Sequence, residues 1–139
     1  MSSLFLDTGF LIALESRSDQ NHQAAVGYWQ HFCQQPCLLV TTTFVFDEVV
    51  TYFNSRNQHN KAVEIGTYLQ TSQLIELVSV NDELLKNAWD LFKAHHDKRY
   101  SLTDCASFVL MKAYNIGSAL SFDRHFTQAG FTRLPEKSG

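Results

Sequence analysis

Two prolines and six glycines among 139 residues exclude a proline-rich, collagen-like or linker-dominated chain. Three cysteines, Cys33, Cys37 and Cys105, are an odd number without framework spacing, so the fold does not rest on disulfides and a reducing compartment is expected. Cys33 and Cys37 stand three residues apart across Pro36, which is neither a redox CxxC pair nor a zinc pair. No apolar run reaches the roughly 18 residues that span a bilayer, and the first residues carry no basic segment followed by an apolar stretch and cleavage site. A soluble, cytoplasmic protein without a membrane partner is expected. Basic charge is also scarce: 11 Lys and Arg against 14 Asp and Glu give a net charge of −3. That balance lacks the global basic footprint of a tight nucleic-acid binding module. A nucleic acid would have to be held by metal ions and a few local cations.

What is present is an ordinary globular composition, 45% hydrophobic and 18% charged, with eleven Phe and two Trp to fill a core. The length suits one domain over residues 1–139. Short apolar runs at 3–6, 37–40, 75–80, 118–121 and 131–134 read as strands, and helical patterning fills the intervals. Asp19 is placed to cap a helix running to about Gln34, Thr41 to Thr43 offer caps for a helix to about Asn54, and Asn81 caps one from Asp82 to His96. Strands alternating with helices predict an α/β fold in three layers, a central parallel sheet of about 4–5 strands flanked by helices.

Ligands of such sheets bind beyond the carboxyl ends of the strands. Asp7 ends the first predicted strand, and Asp123 follows the fourth. Asp104 lies three residues after Ser101 at the start of a mainly apolar helix, in a Ser-x-x-Asp capping pattern on that same edge. In the helix from Thr43 to Asn54, Asp47 falls in the polar arc with Thr51 and Asn54. Glu48 sits at its border between Phe44 and Tyr52, pointing along the protein toward a cleft. Four carboxylates gathered together repel, by about 4 kcal/mol for a pair about 4 Å apart at an effective dielectric near 20. They therefore take up protons or a cation. Oxygen ligands alone select a hard ion, Mg²⁺ or Mn²⁺, and such ions support attack of water on a phosphodiester.

Four segments carry a family resemblance. Leu-Phe-Leu-Asp7-Thr-Gly-Phe-Leu-Ile-Ala-Leu, Thr43-Phe-Val-Phe-Asp-Glu48-Val-Val, Ser101-Leu-Thr-Asp104-Cys-Ala and Ala-Leu-Ser121-Phe-Asp123-Arg-His-Phe resemble, in order, the acidic motifs of PIN-domain ribonucleases. The resemblance runs nearly end to end. It implies a PIN-like fold and a Mg²⁺- or Mn²⁺-dependent endoribonuclease, with Asp7, Glu48, Asp104 and Asp123 as catalytic and metal-binding residues. It further implies an RNA substrate and, since many short members are VapC-like toxins, a cognate antitoxin protein. Thr8 and Ser121 match hydroxyl positions that support metal or phosphate, and Arg124 is placed to contact RNA beside Asp123. Lys98 and Arg99 offer a local cationic rim before the Asp104 helix.

Other residues define the rival readings. The six histidines form no metal spacing; His125, next to Asp123, is the one nearest the acidic set, and His95 and His96 diverge at a helix end. Asp19-x-x-His22-x-x-Ala25 is read as capping and packing. Helices around Trp29 or Trp89 offer apolar surface for a homodimer. A phospho-receiver-like Mg²⁺-binding domain would also gather acids at strand ends, but Ser118 to Asp123 holds no Lys. A catalytically silent PIN-like domain that binds RNA or protein shares every feature except turnover.

Overall fold

The computed structural model describes residues 3–136. Five short strands, β1 (Leu4–Leu6), β2 (Leu39–Thr42), β3 (Ile75–Val78), β4 (Ser118–Leu120) and β5 (Thr132–Leu134), form one sheet in the order β3-β2-β1-β4-β5. Every neighbouring pair is parallel, with Phe5 opposite Val40 on one side and opposite Ala119 on the other. Seven helices connect and flank the sheet: α1 (Thr8–Glu15), α2 (His22–Gln34), α3 (Thr43–Ser55), α4 (His59–Thr71), α5 (Asp82–Ala94), α6 (Leu102–Ala113) and α7 (Arg124–Gln128). The expected α/β architecture and all five strands are therefore present.

The chain winds outward from β1 through β2 to β3, then returns across the sheet to β4 and β5. The winding direction reverses between β1 and β4, the place in such sheets where ligands bind beyond the carboxyl ends of the strands. Strands buried on both faces need continuous apolar runs. Phe5, Leu6, Leu39, Ala119 and Leu120 are wholly buried, and Phe10, Phe53 and Phe126 fill the space between sheet and helices. Helix α6 is central, as its composition predicts: every residue from Asp104 to Phe108 is buried, and Phe108 meets Phe126 edge-on at 4.9 Å.

Caps fix where the helices begin. Thr42 accepts from the backbone N–H of Val45, Asn81 from that of Leu84, and Ser101 with Asp104 forms a full capping box. One expected cap is corrected. Asn21 occupies the N-cap of α2, while Asp19 Oδ1 accepts the N–H of Asn21 at 2.8 Å and shapes the turn before the helix. The second strand also lies two residues later than its apolar run suggests. Leu38 is exposed, and the hydrogen-bonded register carries Thr41 and Thr42 into the sheet. Thr41 Oγ1 then donates to the carbonyl of Leu6 at 2.7 Å, both groups buried, one residue before Asp7.

Thr41→Val keeps the shape of that side chain but removes the donor. The substitution is expected to lower stability by about 1–2 kcal/mol, measurable by urea denaturation, and an unchanged midpoint would show that this tie does not anchor the end of β1.

Candidate active site

Three of the four acids stand at helix starts along the carboxyl edge of the sheet. Asp7 is the N-cap of α1, but its side chain makes no capping bond there, so the carboxylate turns elsewhere. Its Oδ2 accepts from Ser121 Oγ at 2.8 Å, a buried bond between the ends of β1 and β4. Ser121 Oγ in turn accepts the backbone N–H of Asp123 at 3.0 Å. Asp123, the N-cap of α7, accepts the N–H of His125 on Oδ1 at 2.9 Å. His125 Nδ1 lies 3.2 Å from Asp104 Oδ2 and 3.3 Å from Asp123 Oδ1, and Asp104 Oδ2 also accepts the N–H of Ser101 at 3.1 Å. A continuous chain of hydrogen bonds thus runs from β1 through β4 and α7 to α6.

Glu48 joins by a separate route. It sits on α3, exposed, and its Oε1 accepts from Thr8 Oγ1 at 2.8 Å. Thr8 follows Asp7 directly, so one peptide unit links this bond to the buried network. Asp47 points away, accepting a long 3.4 Å bond from Thr51 on the solvent face of the same helix.

Each acid gives one oxygen to these contacts. The other oxygens, Oδ1 of Asp104, Oδ2 of Asp123 and Oε2 of Glu48, take no hydrogen bond among the described residues, and Oδ1 of Asp7 has no side-chain partner. Ligand atoms of Asp104, Asp123 and His125 lie within 4.8 Å of one another. That group is two carboxylates and one imidazole, and Asp7 and Glu48 fall outside it; the carboxylate oxygens suit a hard divalent ion.

The electrostatics agree. Burial raises the Asp7 carboxyl from 3.8 to about 7; the Ser121 bond opposes the rise, and the nearby charges of Asp104 and Asp123 add to it. Asp104 is raised chiefly by burial and further by Asp123, against the stabilising N–H of Ser101. Carboxylates held so close favour either a proton or a cation. The buried Cys105 beside them is no nucleophile: burial and the Asp104 charge push its thiol up to about 11.

The remaining expected residues divide. Arg124 is exposed, and its side chain has no hydrogen-bond or ion-pair partner among the described residues. Lys98 pairs with Asp97 at 4.0 Å on the surface, and Arg99 lies in the left-handed region with φ 59°. Ser121 is 1% exposed with its hydroxyl held on both sides, so it belongs behind the carboxylates and not on an RNA-facing surface. Of the two expected uses of Ser121, support of a metal-binding acid fits this burial better than contact with RNA. His125 is the residue the sequence undervalued. Its only signal there is adjacency to Asp123, which says nothing of Asp104, 21 positions earlier.

A PIN domain family model matches residues 4–132. The chain belongs to the PIN-domain family. It is similar to the 23S rRNA-specific endonuclease VapC20 of Mycobacterium tuberculosis, 30% identical over 131 residues that span 94% of this chain and 97% of the relative. The crystal structure of M. tuberculosis VapC20, described as a sarcin–ricin loop cleaving toxin, superposes with a TM-score of 0.84 over 93% of this chain and 96% of that one. A chain of a toxin–antitoxin complex from Klebsiella pneumoniae shares the fold at a TM-score of 0.59, with 12% identity and 87% of each chain covered. This PIN domain is therefore VapC-like.

The raised Asp7 carboxyl makes metal-free stability depend on pH. The folded chain keeps a proton that the unfolded chain releases above about 3.9, so stability declines as pH rises through about 7. Asp7→Asn removes the charge and is expected to stabilise the metal-free protein at pH 8.5 by on the order of 3–4 kcal/mol, and by much less at pH 5. Denaturation in EDTA at both pH values checks this; an equal effect at both would refute a buried, proton-binding Asp7.

Proposed function

We propose that this VapC-like PIN domain is a metal-dependent endoribonuclease in which Asp7, Glu48, Asp104 and Asp123 hold one or two Mg²⁺ or Mn²⁺ ions. The observation that carries the reading is the shared arrangement of the acids. They converge on one edge of the sheet, each secured through one oxygen, while burial and mutual repulsion disfavour leaving Asp7 and Asp104 charged and unaccompanied. A divalent ion bound there supplies an activated water and neutralises charge developing on the phosphodiester. The protein's own groups fix the geometry: Ser121 orients Asp7, Ser101 orients Asp104, and Thr8 orients Glu48. Arg124, exposed and next to Asp123 in sequence, is the cation we assign to an RNA phosphate. Hydrolysis by this route leaves 5′-phosphate and 3′-hydroxyl ends.

The VapC20 likeness, at 30% identity over nearly the whole chain, makes the sarcin–ricin loop of 23S rRNA the first substrate to test and supports the role of toxin paired with an antitoxin. A ribosomal RNA substrate supports a cytoplasmic location; among the described residues no helix is long and apolar enough to cross a membrane. A homodimer through α5 is supported by Leu85, Trp89 and Phe92. They recur on one exposed stripe of that helix, with the Trp89 and Phe92 rings stacked at 5.4 Å. Trp29, by contrast, is half-buried against Phe32.

A synthetic sarcin–ricin loop RNA is expected to be cut with Mg²⁺ or Mn²⁺ and left intact in EDTA. Asp104→Asn should lower the rate at least about 100-fold, a barrier increase of roughly 2.7 kcal/mol, whereas Asp47→Asn on the outer face should leave it nearly unchanged. Retained Mn²⁺ binding without cleavage of this RNA or of mixed tRNA and rRNA would favour a catalytically silent domain.

Light scattering tests the dimer. The wild type is expected to have twice the chain mass at micromolar concentration and Trp89→Asp the mass of one chain; a monomeric wild type would remove α5 as an interface.

A further inference from the structure

His125 is the one member of the acidic cluster that is not a carboxylate. It stands at the second position of α7, and its Nδ1 lies between Asp104 Oδ2 and Asp123 Oδ1, 3.2 and 3.3 Å away. Ionised Asp104, the form that would hold a cation, only accepts hydrogen bonds, and in that form the proton of this contact belongs on Nδ1. That leaves Nδ1 without a lone pair for a metal and places the ring's lone pair on Nε2, the position that a Gln variant probes. The contacted oxygens are also the ones already engaged by backbone: Asp104 Oδ2 by Ser101 and Asp123 Oδ1 by His125 itself. The imidazole therefore meets the already engaged oxygen of each acid, and Oδ1 of Asp104 and Oδ2 of Asp123 take no hydrogen bond among the described residues. Its ring is set edge-on against Tyr100 at 5.4 Å, which fixes the direction of Nδ1. Between two carboxylates carried by different helices, an N–H in that place offsets their repulsion before any ion arrives.

We propose that His125 is a positioning residue whose Nδ1–H holds Oδ2 of Asp104 beside Oδ1 of Asp123, so that both acids keep their other oxygens for one divalent cation. The assignment rests on the reading of the acids as a cation site. It makes His125 a support of the ligands and not itself a ligand or a proton donor to RNA.

Three substitutions separate these roles. His125→Asn places an amide N–H near the position of Nδ1, His125→Gln reaches toward that of Nε2, and His125→Phe keeps the ring against Tyr100 but donates nothing. Calorimetric Mn²⁺ binding without RNA is the primary readout, followed by sarcin–ricin loop cleavage at saturating Mn²⁺ and by ¹⁵N–¹H imidazole spectra of the metal-free wild type. The Phe and Gln variants are expected to bind Mn²⁺ about 10–100-fold more weakly with melting temperatures near wild type, the Asn variant to stay within about threefold, and the spectrum to show a proton on Nδ1. An Asn variant as weak as Phe, a Gln variant that alone retains affinity, wild-type affinity in all three, or a proton confined to Nε2 would each overturn the proposal. Loss of Mn²⁺ binding in Asp104→Asn would still leave the acids as the cation site in those cases. A wild type that binds no Mn²⁺ would overturn both.

Discussion

The buried hydrogen bond between Ser121 and Asp7 is the contact on which the site depends, because it crosses the place where the sheet reverses its winding. The backbone pairing of β1 with β4 ends there, at the N–H of Asp7 on the carbonyl of Leu120, and leaves the buried carboxylate of Asp7 in need of a side-chain donor. Ser121, at the end of β4, supplies the donor, and the same oxygen accepts the N–H of Asp123. A single hydroxyl thus sets the distance between two acids from opposite halves of the fold. Removing it would leave a buried carboxylate short of a partner.

Holding charge in this way opposes stability. Asp7 is 5% exposed and Asp104 7%, and each would fold more favourably as a neutral group. The surroundings compensate from many small sources: the packed strands, the Phe108–Phe126 contact and the capping box at Ser101. The most strained electrostatics lie where helices α1, α6 and α7 all begin, and their N-terminal ends lend partial positive charge to the acids. A site that is unfavourable when empty binds a cation more tightly for that reason, since the ion relieves repulsion that the fold already bears.

Much of this was legible in the sequence. The five apolar runs give the strands because a strand buried on both faces must be apolar at every position, and Ser101-x-x-Asp104 gives the start of α6 because capping chemistry is local. Asp7 and Asp123 could be placed at strand ends by the same logic. What failed were questions decided by register or by distant partners. The second strand was displaced because Cys37 and Leu38 are as apolar as a strand requires, yet only hydrogen bonding to β1 and β3 selects Leu39–Thr42. Asp19 is as good a cap as Asn21 by residue type, and the difference lies in which backbone turn the chain adopts.

The same distinction explains the two residues whose roles changed most. Ser121 reads in sequence as a hydroxyl beside an acid, free to face either ligand or protein, and only its burial against Asp7 decides between them. His125 reads only as the histidine next to Asp123. Its contact with Asp104 joins segments separated by a whole helix and a strand, and the ring orientation depends on Tyr100, a third segment. Acids can be found from sequence because the edge of a parallel sheet collects them. The groups that hold those acids at usable angles are drawn from wherever the fold brings a donor, and no spacing rule encodes that.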